Sequence, residues 1–124
     1  MSEIIKISSG APWENIVGYS RAVRINNTIE ISGTTAPGVN EYEQTLAILK
    51  LFEKILNDLG ANLSNIIRTR IYCIDISKWE EIGKAHGEIF SEIRPTTSMV
   101  EISKLINPEI LVEIEATAYI PSTI

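Results

Sequence analysis

The chain has 124 residues, a formal net charge of −5, and a composition that is 44% hydrophobic against 22% charged. That is one domain (residues 1–124) with enough apolar material for one core, which excludes a disordered chain, and its acidity argues against a protein built to neutralise phosphate backbones. A single cysteine, Cys73, excludes an internal disulfide, and a single histidine, His86, leaves a nitrogen–sulfur metal site almost without ligands, so neither metal nor cofactor is expected.

In chain order, Ile4 to Ser8 alternates and reads as a short strand, and Ala11-Pro12-Trp13 begins a loop. Arg21–Ile25 and Thr28–Ser32 flank Asn26-Asn27, a pair that tolerates positive φ, which predicts a tight hairpin; Gly33 through Gly38, with Pro37, ends it in a loop. From Glu41 to Leu59, Tyr42, Thr45, Leu46, Leu49, Phe52, Leu56 and Leu59 recur at helical spacing, and Gly60 supplies a stop. Ile66 to Ile76 is rich in β-branched residues and reads as a long strand. Ser77, with Glu80 three residues on, fits a capping box for a second helix that runs to about Ile93, where Arg94-Pro95 breaks it. Two strands follow, Ser98–Ser103 and Leu111–Ile120.

The order β-β-β-α-β-α-β-β supplies too few helices for both faces of a six-stranded sheet. It predicts an α+β domain with a mostly antiparallel sheet and both helices on one face. In the last strand Val112, Ile114, Ala116 and Ala118 form an apolar face suited to lie under helices, opposite Leu111, Glu113, Glu115, Thr117 and Tyr119. On the preceding strand Thr97, Met99 and Glu101 alternate with Ser98, Val100 and Ile102. A sheet covered on one side leaves Leu111, Met99 and Tyr119 exposed in a monomer, and such mixed faces suit a subunit interface with a site built in.

Glu113 and Glu115, about 6.6 Å apart by strand rise, could do acid–base work, although a solvated strand face is the commoner role for such a pair. His86 sits in helical register with Ile82, Ile89 and Phe90, which suits a structural residue better than a catalytic one. Cys73 alternates with Ile71 and Thr69 as a buried, inert thiol would. Arg68 and Arg70 share a face with Tyr72 and are suited to carboxylate pairing. Gly33 and Gly38 lack phosphate-loop spacing.

Arg94-Pro95-Thr96-Thr97-Ser98-Met99-Val100-Glu101-Ile102-Ser103-Lys104-Leu105, followed by Leu111-Val112-Glu113-Ile114-Glu115-Ala116, resembles the signature of the reactive-intermediate deaminase (Rid, or YjgF-type) family, also labelled L-PSP endoribonuclease. Gly18-Tyr19-Ser20, Ile31-Ser32-Gly33 and Ile67-Arg68-Thr69 agree with it, so the resemblance covers nearly the whole chain. It implies a chorismate-mutase-like fold assembled as a homotrimeric barrel with small-molecule clefts between subunits. By position it places Tyr19, Ser32, Gly33, Thr97 and Met99 in the cleft as substrate-binding residues. The resemblance makes Glu113 the expected catalytic residue, directing water at a bound imine. Three positions depart from the family pattern. Thr97 stands where deaminating members carry an arginine that clamps the substrate carboxylate, Met99 replaces a common cysteine, and Gly83 aligns with an asparagine.

The expectation is therefore an intersubunit cleft acting on an imine- or enamine-type C–N substrate other than a 2-imino acid, unless another cation such as Arg21 or Arg24 replaces the clamp. The alternative is a non-catalytic metabolite-binding or regulatory protein. The endoribonuclease label fits an acidic chain least, and nucleic acid is not an expected partner. With no signal-peptide pattern at the N-terminus and no apolar run near the roughly 18 residues of a membrane span, a cytoplasmic protein without membrane contact is expected.

Overall fold

The computed structural model describes residues 3–122. Six strands, β1 (Ile4–Ile7), β2 (Ala22–Ile25), β3 (Thr28–Thr34), β4 (Ile66–Cys73), β5 (Thr96–Glu101) and β6 (Val112–Tyr119), form one sheet in the order β1-β2-β3-β6-β4-β5. Every neighbouring pair is antiparallel except β4–β5, which is parallel and joined through a helix, as a crossover requires. The two long helices, α2 (Glu41–Asp58) and α3 (Trp79–Phe90), pack on one face, as the element count predicts.

Alternation decides which side of each strand is buried. Ile29 and Ile31 on β3, Thr69, Ile71 and Cys73 on β4, and Val112, Ile114, Ala116 and Ala118 on β6 all point under the helices, where they meet Ile48, Leu49, Phe52 and Leu56 of α2 and Ile82 and Phe90 of α3. The small Ala116 and Ala118 let α2 approach the sheet closely. The hairpin turns at Asn26 with φ 52°, and Ile25 pairs with Thr28, as the Asn-Asn pair predicts. At the start of α2 the Asn40 side chain accepts from the Glu43 amide at 2.9 Å. At its end Gly60 takes φ 82°, and Arg24 Nη1 donates to the Leu59 carbonyl at 2.5 Å.

The local structure departs from expectation in several places. The segment after Ala11 is not simply a loop: Pro12–Val17 is a helix, α1, with Pro12 in its first turn and Gly18 closing it at φ 87°. Ser77 does not cap the second helix. Asp75 accepts from the Ser77 amide and hydroxyl, turning Ile76–Lys78 into a 3₁₀ turn from which α3 starts at Trp79. The predicted strand to Ile76 accordingly ends at Cys73, and α3 ends at Phe90, three residues before Ile93. Arg94 at φ 55° turns the chain into β5, which begins at Thr96 rather than Ser98. Finally, Met99 and Leu111 are not exposed but half-buried against the core, leaving Tyr119, 44% exposed, as the exposed one of the three.

Among the described residues no helix is long and apolar enough to cross a membrane.

Candidate functional site

The helix-free side of the sheet carries Glu113, Glu115 and Thr117 of β6 beside Arg68, Arg70 and Tyr72 of β4. Charge is largely matched there: Glu115 pairs with Arg70 at 3.5 Å and accepts from Tyr72 Oη at 3.3 Å. Arg68, among the described residues, reaches only Ser98 Oγ, at 3.4 Å, and Glu113 has no such partner. Among the described residues its carboxylate has neither a hydrogen-bond donor nor an ion-pair partner. Burial, reinforced by the neighbouring Glu115, pushes its carboxyl above the usual carboxylate range, and Arg21 opposes the shift.

The β3–β6 register slips between Ile31 and Thr34, and this irregularity makes room for the carboxylate. A Cβ on Gly33 would stand 2.5 Å from Glu113 Oε2, so the carboxylate occupies the space that any other residue's side chain would fill. The same glycine's carbonyl accepts from Arg21 Nη1 at 2.7 Å. Arg21 Nη1 also donates to Thr34 Oγ1 at 3.1 Å, and Nη2 to Tyr19 Oη at 3.1 Å, with the guanidinium 5.4 Å from the Tyr19 ring centre. On the far side its Nε faces Glu14 Oε2 at 3.5 Å.

Glu14, buried on α1, also accepts from Ser8 Oγ at 2.8 Å and from the amide and hydroxyl of Ser9. The Ser9 hydroxyl above all, then Ser8 and Arg21, outweigh burial and hold its carboxyl below the usual range. Glu14 is therefore the ionised partner of Arg21, and α1 exists in this fold as the arm that brings it there.

These groups open into a cavity of about 630 Å³. Its polar wall holds Tyr19, Arg21, Gly33, Thr34 and Glu113, and its apolar wall Ile7, Trp13, Val17, Leu51, Ile55 and Ile106. The pair Lys54–Asp58, 3.2 Å apart, stands in the lining as well. The six site residues expected from the sequence divide accordingly. Tyr19, Gly33 and Glu113 come together in the cavity. Ser32 lies beside it with its hydroxyl donating to the Ser20 carbonyl at 2.7 Å.

Thr97 and Met99 pair with Thr69 and Ile71 across the parallel β4–β5 ladder and so turn to the helix side of the sheet, away from Glu113. There Thr69 Oγ1 donates to Thr97 Oγ1 at 2.7 Å and meets His86 Nε2 at 2.9 Å. Burial lowers the His86 pKa, and its ring rests 4.5 Å from that of Phe90, the structural setting its register suggested. Within one protomer, then, Thr97 and Glu113 do not face a common space.

Of the two arginines flanking the hairpin, Arg21 reaches the site and Arg24 does not. Cys73 is buried, and burial, with Glu101 nearby, pushes its thiol pKa up. Among the described residues no three His, Cys, Asp or Glu side chains gather as metal ligands would. Sequence reasoning missed Glu14, the serines that hold it and the apolar wall; the one available signal was Pro12 followed by an acidic residue two positions on, the pattern of a helix start.

The family profile described as Endoribonuclease L-PSP matches residues 10–120. A crystal structure from Mycobacterium tuberculosis, described as a member of the highly conserved YjgF/YER057c/UK114 family, is 48% identical and superposes with a TM-score of 0.93 over 95% of this chain and 100% of its own. A RutC family protein of Pyrococcus horikoshii is 31% identical over 96% of this chain and 98% of its length. The chloroplastic Reactive Intermediate Deaminase A of Arabidopsis thaliana is 29% identical over 80% of this chain and 58% of its own. The profile, the relatives and the superposition agree: the chain belongs to the Rid/YjgF family, the one described as Endoribonuclease L-PSP.

Proposed function

We propose that this protein is a hydrolase of imine- or enamine-type C–N bonds whose substrate carries no carboxylate to be clamped, with Glu113 directing the attacking water. The observation that carries this reading is the Glu113 carboxylate itself: half-buried, unpaired among the described residues, raised in pKa and held over Gly33 at a cavity wall. A carboxyl poised nearer neutrality than usual suits general acid–base work. Water adds to the C=N carbon as Glu113 takes its proton; the proton passes to nitrogen, and the C–N bond breaks to give a carbonyl compound and an amine or ammonia. Tyr19 Oη, held by Arg21, lies on the same wall to contact the substrate. A relative named reactive intermediate deaminase supports this class of chemistry.

The working unit in this proposal is a homotrimer. Ile4, Ile25, Val100 and Tyr119 stand 42–54% exposed on the helix-free face, and a second subunit would cover them. A neighbour's β5 is also the way Thr97 and Met99 would reach the cleft, since their own protomer turns them away from Glu113.

The test is the decay of freshly generated imines followed with the wild-type chain, Thr97→Arg and Glu113→Ala. Accelerated hydrolysis of imines lacking a carboxylate, lost in Glu113→Ala, with negligible acceleration of 2-iminobutyrate hydrolysis by the wild type, is the expected result. Binding without turnover of any imine would favour a non-catalytic metabolite-binding role. Family-typical rates on 2-iminobutyrate would overturn the reading of Thr97.

A further inference from the structure

The charges around the cavity are not equally available to a ligand. Arg21 has five N–H groups. Nε faces Glu14, the two on Nη1 go to the Gly33 carbonyl and Thr34 Oγ1, and one on Nη2 goes to Tyr19 Oη. One N–H is left, too few for the two-pronged grip that recognises a carboxylate. Glu14 also lies buried 3.5 Å from Arg21 Nε and offsets part of the guanidinium charge, although Arg21 still favours the ionised form of Glu113. The other cation, Lys54, is tied to Asp58 at 3.2 Å, with its side chain 74% exposed to screening solvent.

Glu113 is the acid left without a counter-charge in contact. Among the described residues of one protomer, the cavity is thus a partly apolar space with one carboxylate that has no counter-charge in contact and no cation free of an acidic partner in its walls. We infer that it selects planar cations of the amidinium, guanidinium or iminium class, whose N–H groups meet Glu113 while an apolar body lies against Trp13, Leu51 and Ile55. This deepens the reading above and rests on Glu113 facing the ligand, but not on turnover.

Three isosteric probes separate the possibilities: benzamidine (planar cation), benzamide (neutral) and benzoate (planar anion), titrated into the full chain at pH 8 and followed by amide chemical shifts. Benzamidine should bind on the order of 10- to 100-fold tighter than benzamide, the worth of a charge-assisted hydrogen bond. Benzoate should bind more weakly than either, the shifts should map to Tyr19, Gly33 and Glu113, and Glu113→Gln should reduce benzamidine to the level of benzamide. Benzoate binding best, benzamidine affinity unchanged in Glu113→Gln, or no binding by any of the three would overturn the inference. The wild-type ranking alone decides it should the variant fail to fold. If the ranking holds but no imine is turned over, the hydrolase reading fails and the cation site stands. If imines turn over but the ranking is reversed, the opposite follows.

Discussion

Gly33 and Glu113 are fitted to each other. Because Gly33 carries no positive φ, alanine is allowed there by the backbone; what it would meet is the mobile end of the glutamate. Gly33→Ala should therefore change the unfolding free energy by no more than about 1 kcal/mol, while the displaced carboxylate costs at least ~10-fold in turnover or in benzamidine affinity. Paired urea titrations and activity assays would separate the two effects.

Glu113 also has a cost visible in pH. Since burial and Glu115 raise its pKa in the fold, the native chain holds the proton more tightly than the unfolded one, so its contribution to stability falls as pH rises through that interval and stays low above it. Glu113→Gln should consequently melt higher than wild type at pH 7–8, with the difference closing below the ordinary carboxylate range. Melting curves of both chains from pH 4 to 8 check this. Glu113 was legible in the sequence because strand alternation sets it opposite an apolar face and the family signature surrounds it. The state of Arg21 was not. An arginine's free donors depend on which groups the fold brings to it, and here those are the Gly33 carbonyl, Thr34, Tyr19 and Glu14, the last carried on a helix of six residues.

Among the elements, long amphipathic segments were the easiest to read, and short ones were decided by contacts that no local pattern reveals. α2 shows its period over five turns, whereas α1 is too short for one and is held by what Glu14 grips. At the start of α3, Ser77 and Glu80 have capping-box spacing, but Asp75 takes the serine for itself and delays the helix.

α2 contains its own weak point. Thr45 Oγ1 is buried without a hydrogen-bond partner among the described residues. Thr45→Val keeps the shape and removes the stranded hydroxyl, so it should stabilise the chain by up to about 1 kcal/mol, read as a higher urea midpoint at unchanged slope.

At the scale of the whole molecule, the sheet's layering was predictable from the face of β6 that packs under the helices. The expected exposure of Met99 failed because β5 pairs in parallel with β4 and sets Met99 beside Ile71 on the helix side, and that of Leu111 because its amide is held by Gln44 of α2 at 2.9 Å. The homotrimer we propose should appear in light scattering at micromolar concentration as three times the 13.8 kDa chain mass, and a monomer mass would remove the reason for a shared cleft.

The strand order has a bearing on how the protein comes to be made. β6, the latest of the six strands in the chain, is the fourth in space, and within the sheet β3 and β4 are joined only through it. Until β6 has been made, the β1–β3 meander and the β4–α3–β5 crossover cannot be joined into one sheet, because each lacks the strand that pairs with its inner edge. Glu113 arrives on that strand. The step that seals the sheet is thus the step that arms the cavity, and an unfinished chain cannot carry a finished site.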